Sequence, residues 1–252
     1  MVTEGIAAAM ATELELSELP DGLGLMVRFD GQRSVAELTS AVNTVCARAE
    51  SGDEQTVVVL CFDAMSADCR QWPGEVDVQQ VNRWERAVRR LERLPAVSIA
   101  MLQGTCGGPA LDLLLAADFR IGTSDLRLLL PVNDEHFWPG MSVYRLVRHL
   151  GVARARQIVL WGTDIPLDKA LDLGLIDHVD DDVAEAVRTA TVLTGRLSGR
   201  EMAVRRQLLL EAASAEYDDA VGTHLAACDR ELRRLRGSAG QLPLAATERS
   251  GS

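Results

Sequence analysis

Residues 94–131 read LPAVSIAMLQGTCGGPALDLLLAADFRIGTSDLRLLLP. Pro95 closes the helical pattern before it, because the residue preceding a proline is driven out of the α region. AVSIAML (96–102) is a continuous apolar run of strand length, the mark of a strand covered by helices on both faces. A glycine-rich turn, 104–108, leads into PALDLLLAA (109–117), which reads as a helix with Pro109 at a favourable first-turn position. Residues 118–121 and 126–130 then read as two further short strands. Within the apolar helix stands one charged residue, Asp112, and a carboxylate there is costly unless it is paired or functional.

The same alternation extends upstream. Residues 22–29 (GLGLMVRF) read as a strand. Ser34, with Glu37 three residues on, makes a capping box for the helical run VAELTSAVNTVCARAE (35–50). Residues 56–62 (TVVVLCF) form the next buried strand. Residues 76–94 carry Val81, Trp84, Val88 and Leu91 at helical spacing and end at Pro95. Downstream of WPG (138–140) the pattern is mainly helical: 142–150, 152–161, and 167–173 stopped by Gly174. LIDHV (175–179) reads as a last strand, residues 181–236 hold two or three more helices, and residues 237–252 read as a disordered tail. Strands alternating with helices in this way predict a parallel α/β arrangement. No repeat of fixed period is visible.

Composition narrows the function classes. Of 252 residues, 47% are apolar and 25% charged, which fits one substantial core rather than a disordered chain. A net charge of −11 opposes nucleic acid as a general partner. The local run Arg83, Arg86, Arg89, Arg90 and Arg93 reads as a solvated helix face, or alternatively as a site for an anionic cofactor or partner. No apolar stretch is long enough to span a membrane, and the acidic start is unlike a signal peptide, so a cytoplasmic protein is expected. Cys46, Cys61, Cys69, Cys106 and Cys228 lack paired spacing and neighbouring histidines, which favours reduced thiols over disulfides or zinc. His149, His178 and His224 read as structural or solvated, and no metal or resident cofactor is expected.

Read as a whole, residues 94–179 resemble the crotonase (enoyl-CoA hydratase/isomerase) superfamily in order and spacing. LPAVSIAMLQGTCGG is similar to the family's strand and glycine loop, and LLLAADFRIGTSDLRLLLP to its central helix and hairpin. WPGMSVYRLVRHLGVARARQIVLWGTDIPLDKALDLGLIDHV resembles its run of helices. Upstream, AMSAD (64–68) is similar to the loop that supplies the first thioester contact. Within the family, TCGG, LLLPVN and FWPGMSVYRLV look closest to the small hydratase-like proteins of 3,5-dihydroxyphenylglycine formation in glycopeptide antibiotic pathways.

The resemblance implies an α/β crotonase spiral of repeated β-β-α units over residues 20–195. A C-terminal helical region, 196–236, would pack against sister subunits, giving a homotrimer or a hexamer of paired trimers. A helix at 200–213 carries Met202, Val204, Leu208 and Leu209, apolar residues that need cover. The substrate implied is an acyl-CoA, with coenzyme A entering as part of the substrate.

The family's shared device is a pair of backbone N–H groups aimed at the thioester oxygen, where an enolate's charge develops. The first donor position falls at Met65 and the second at Pro109, which has no N–H. Gly108 is therefore expected to substitute, with Ala110 the other neighbour; taken alone, Gly107, Gly108 and Pro109 read as a tight turn. The family's two water-activating carboxylates fall at Asp112 and Val132, so one is present and one absent. Asp112 is expected either to move a proton or to serve as a structural pairing group. From the loop at 134–136, Glu135 is the first choice for a replacement acid or base, and a hydrated loop is the plain alternative. Phe137 and Trp138 are candidate walls of an apolar substrate pocket, or core. Cys106, near a helix start, is read as turn packing.

Two functions follow from this reading. One is a hydratase, dehydratase or isomerase acting on a polyketide-derived thioester on the way to 3,5-dihydroxyphenylacetyl-CoA. The other is an accessory acyl-CoA-binding protein that assists a type III polyketide synthase.

Overall fold

The computed structural model describes residues 15–19, 24–29, 33–51, 57–64, 70–194 and 198–239. Its main feature is a six-stranded sheet. At one edge β1 (Glu15–Glu18) runs antiparallel to β2 (Gly24–Phe29). Beyond β2, strands β3 (Val57–Phe62), β4 (Val97–Leu102), β6 (Phe119–Gly122) and β11 (His178–Val179) follow in parallel register.

Every residue of β3 and β4 is buried, because both faces of the sheet are covered. On one face Val58, Leu60, Phe62, Ala100 and Leu102 pack with α1 (Val35–Ser51), α2 (Val78–Leu91) and α3 (Pro109–Ala116). On the other, Val57, Val59, Cys61, Val97, Ile99 and Met101 pack with Ala186, Val187 and Ala190 of α6 (Val183–Thr194). Side-chain alternation therefore does not show as polar alternation in the sequence. Phe29 and Phe62 stack across neighbouring strands, with ring centroids 4.9 Å apart.

The smaller strands complete the spiral. β5 (Thr105–Cys106) leaves the main sheet to pair with β7 (Arg127–Leu128), and β10 (Ile165–Pro166) closes this three-stranded sheet. Thus β4, β5 and α3 make one β-β-α turn, and β6 and β7 repeat its strand pair. Part of the expected glycine turn is therefore a strand, and the strand expected over 126–130 shortens to two residues. β8 (Val132–Asn133) and β9 (His136–Phe137) form a separate hairpin.

The helix boundaries have local causes. Ser34 and Glu37 cap α1 reciprocally, with Ser34 N–H to the Glu37 carboxylate at 2.8 Å and Glu37 N–H to Ser34 Oγ at 3.3 Å. α2 begins later than the expected residue 76 because Asp77 and Gln80 form a capping box, at 2.7 and 2.9 Å. It ends earlier than Pro95 because Arg93 and Leu94 tighten into i→i+3 bonds at 3.1 Å. The two helices expected at 142–150 and 152–161 adjoin as α4 (Ser142–Trp161), broken where Gly151 takes φ 74° and ψ 160°. α5 (Leu167–Asp172) stops before Gly174, as expected.

The chain divides into two compact units, Met1–Ala203 and Val204–Ser252. The division falls inside α7 (Gly199–Ala212), and α8 (Tyr217–Ala239) lies in the second unit. α8 extends three residues into the segment expected to be a tail, correcting the start of that tail from 237; the remainder, 240–252, lies outside the described residues.

Candidate active site

The helix α3 is buried along its whole length, so Asp112 on its first turn has no solvent to stabilise a charge. Its carboxyl is 4% exposed and accepts one hydrogen bond from the Trp84 indole Nε1–H, at 2.9 Å. Burial pushes the Asp112 carboxyl up to about 7, and the nearby Glu85 carboxylate adds to the rise; the Trp84 bond and the Arg145 cation oppose it. A group balanced in this way exists in both protonation states near neutral pH, the condition for passing a proton in either direction.

The charges around Asp112 are fixed between two helices. Arg145 of α4 is buried and donates to Glu85 of α2 at 3.0 Å and to Glu92, just past the end of α2, at 2.7 Å. Arg89 reaches the second oxygen of Glu92, at 2.5 Å. Full pairing makes these buried ions tolerable, and it holds Glu85 where it acts on Asp112.

At the start of α3, Gly108 adopts φ 50° and ψ −118°, a conformation that disfavours a side chain. A Cβ there would lie 2.9 Å from both Cβ and Cγ of Trp72. The neighbouring Ala110 N–H is already given to the Gly107 carbonyl at 3.1 Å. Among the described residues, no acceptor takes the Gly108 N–H. Met65, the other expected donor, lies outside the described residues.

Trp72 is itself held from the β8–β9 hairpin. The Asn133 side chain accepts from Trp72 N–H at 3.1 Å and donates to the Trp72 carbonyl at 2.8 Å. Val132 N–H donates to the Arg70 carbonyl at 2.9 Å. The Trp72 ring meets Trp84 edge-on, with centroids 5.5 Å apart and planes at 72°.

The other residues nominated from sequence have surroundings of their own. Asp134 and Glu135, at φ 46° and 67°, form the two-residue turn of the β8–β9 hairpin, and Glu135 is exposed there. This is the type I′ geometry that hairpins favour, so a turn accounts for the pair. The carboxylate acting on Asp112 is Glu85, not Glu135. Val132 is half-buried in β8. Phe137 and Trp138 are half-buried and pack on the main core, with the Trp138 indole folded over Gly140. Cys106 is buried, its thiol directed to the Gln103 carbonyl at 3.2 Å. Burial raises the Cys46 and Cys61 thiols to about 12 and 11, respectively. His149 takes the Leu115 carbonyl at the end of α3, 2.8 Å away. In the arginine run, Arg90 leaves the helix face to bind Glu50 and Asn43 of α1, while Arg83, Arg86 and Arg93 remain exposed.

Comparison with known proteins places this geometry. Residues 67–235 match the family model for enoyl-CoA hydratase/isomerase. The chain belongs to the enoyl-CoA hydratase/isomerase family. An enoyl-CoA-hydratase of Amycolatopsis orientalis is 44% identical over 211 residues, covering 83% of this chain and 96% of that one. The crystal structure of an enoyl-CoA hydratase from Shewanella pealeana superposes with a TM-score of 0.71 at 18% identity, over 88% of each chain. A Thermobifida fusca structure in complex with CoA gives 0.72 at 20% identity, over 88% of this chain and 94% of that one. At those identities the two structures establish the fold, which is the crotonase α/β fold expected from sequence.

Within this enoyl-CoA hydratase/isomerase chain, sequence reasoning passed over Trp72, Glu85, Asn133 and Arg145 as members of the site. It took Trp84 only as a core position of α2. The available signals were slight: a charge directly after a core tryptophan, and an arginine inside the apolar run VYRLV.

Proposed function

We propose that the protein processes an acyl-CoA thioester by stabilising its enolate, with Asp112 as the proton shuttle. The observation that carries this is the Asp112 carboxyl, buried on the first turn of the helix that Gly108 opens and raised to about 7. In this reading the thioester oxygen receives the N–H groups of Met65 and Gly108. Loss of one such donor costs about 3 to 4 kcal/mol in acyl-transfer enzymes. The α-carbon then loses or gains its proton through Asp112. The CoA bound by the Thermobifida fusca neighbour supports the choice of thioester.

Val132, where the family has its second carboxylate, turns the chemistry away from hydration. Adding water across a double bond requires the water to be held and activated, whereas moving one proton requires a single carboxyl group. Isomerisation or another single proton transfer on a polyketide-derived thioester, on the way to 3,5-dihydroxyphenylacetyl-CoA, fits this better than adding or removing water, whose two directions need the same pair of groups. We assign the protein to the cytoplasm; no helix among the described residues is long and apolar enough to cross a membrane.

A second reading has its own support. Asp112 accepts from the Trp84 indole at 2.9 Å, a bond that satisfies its carboxyl as a structural group would be satisfied. On that reading the chain binds an acyl-CoA and assists a type III polyketide synthase without catalysis of its own. Asp112→Asn in the combined reaction with the synthase separates the two. The enzymatic reading expects product formation to fall roughly 10²- to 10⁴-fold while thioester binding holds. A folded Asp112→Asn protein supporting the full rate would leave the accessory role.

A further inference from the structure

Resting on the proton-shuttle reading above, we propose that Trp84 is a positioning residue: its indole holds Asp112 Oδ2 as an acceptor and confines the moving proton to Oδ1. This deepens that reading by naming the oxygen that does the chemistry and the residue that chooses it.

The two oxygens of a carboxyl are equivalent until a neighbour distinguishes them, and the terminal torsion of an aspartate is broad and two-fold. Trp84 makes the distinction, with its Nε1–H on Oδ2 at 2.9 Å. An indole N–H donates and never accepts. A carbonyl oxygen is a better acceptor for it than the hydroxyl oxygen of a protonated carboxyl. The neutral acid therefore keeps its proton on Oδ1, and the carboxylate keeps Oδ2 on the indole. One bond serves both protonation states, so the carboxyl need not turn as the proton comes and goes. In the transfer the α C–H bond of the thioester breaks as the Oδ1–H bond forms, and the electron pair passes into the enolate, whose charge rests on the thioester oxygen. The return transfer reverses each change.

The indole can impose this choice because it is fixed. Trp84 is 2% exposed and lies on the buried face of α2 with Ala87, Val88 and Leu91. Trp72 meets its ring edge-on, and the adjoining Glu85 is clamped by Arg145 of α4 at 3.0 Å. Turning the ring away would strand a buried N–H without a partner, which is unfavourable.

Replacing Trp84 with benzothienylalanine tests this, since it keeps the shape of the ring and exchanges the N–H for sulfur. Infrared difference spectra taken below and above neutral pH isolate the carbonyl band of neutral Asp112, identified by its loss in Asp112→Asn. In the sulfur variant that band should move to higher frequency, because the carbonyl has lost its donor. The same bond favours the ionised carboxyl, so its loss raises the Asp112 pKa. The pH profile of α-proton exchange in phenylacetyl-CoA should accordingly move up by about one unit, the order of one charge-assisted hydrogen bond. The rate at neutral pH should fall roughly 3- to 10-fold while thioester affinity holds. Trp84→Phe, which also removes the donor, should repeat both shifts. An unmoved carbonyl band, or an unmoved pH profile where the wild type exchanges, would overturn the assignment and leave Asp112 as the shuttle. A wild type exchanging no faster than buffer would remove the proton-shuttle reading, and this assignment with it.

Discussion

At the scale of single residues, Asp112 ties stability to chemistry. Its folded-state pKa, about 7, lies above the ordinary 3.8, so the folded protein holds this proton more tightly than the unfolded chain. The resulting stabilisation is complete below about pH 4 and is lost as pH rises through 7. At 1.36 kcal/mol per unit the loss is on the order of 4 kcal/mol at most. Asp112→Asn, neutral at every pH, should remove this dependence. Urea unfolding at pH 5 and pH 8 should show the wild type losing stability between the two and the variant losing less. Equal losses would mean that the carboxyl is not held neutral by its surroundings.

At the scale of elements, the charges that govern Asp112 come from the contact of α2 with α4. Arg145 joins them through Glu85 and Glu92. Arg145→Met would leave two carboxylates in poorly solvated positions and should cost about 3 to 5 kcal/mol, read by denaturant titration. With that cation gone, the Asp112 pKa should move further upward, visible as a displaced pH profile. A variant of wild-type stability would show that solvent, not Arg145, satisfies these carboxylates.

This contact also marks how far the sequence could be read. VVVLCF and VSIAML announced buried parallel strands because two covered faces leave no polar alternation. Ser34 with Glu37, and Pro109 after two glycines, marked helix starts through purely local chemistry. Asp112 was visible because a charge in an apolar helix requires a reason. The pairing of Trp84 with Asp112 spans 28 positions and that of Arg145 with Glu85 spans 60, and neither leaves a periodic trace. Glu135 was nominated for its carboxylate, yet its place is decided by a hairpin turn that accepts many polar residues. The two-residue strands β5, β7 and β8 exist only through their partners, so local pattern could not bound them.

At the scale of the whole molecule, both units present apolar side chains to solvent. In the first unit Trp161 is 77% exposed and Val152 and Leu160 are also exposed on α4; in the second, Leu209 and Leu225 are exposed on α7 and α8. Surface of this kind asks for cover. A homotrimer or a pair of trimers, as the family resemblance implies, is the expected state by light scattering at micromolar concentration. A clean monomer would contradict it.

If this site forms an enolate and moves its proton through Asp112, the α-protons of a bound thioester exchange with solvent. Incubating phenylacetyl-CoA with the protein in deuterium oxide, and following the α-protons by nuclear magnetic resonance, measures that step without requiring the natural substrate. The wild type should exchange well above the buffer rate, and a folded Asp112→Asn protein roughly 10²- to 10⁴-fold more slowly. Exchange no faster than buffer, or an Asp112→Asn protein exchanging at the wild-type rate, would contradict proton transfer through Asp112.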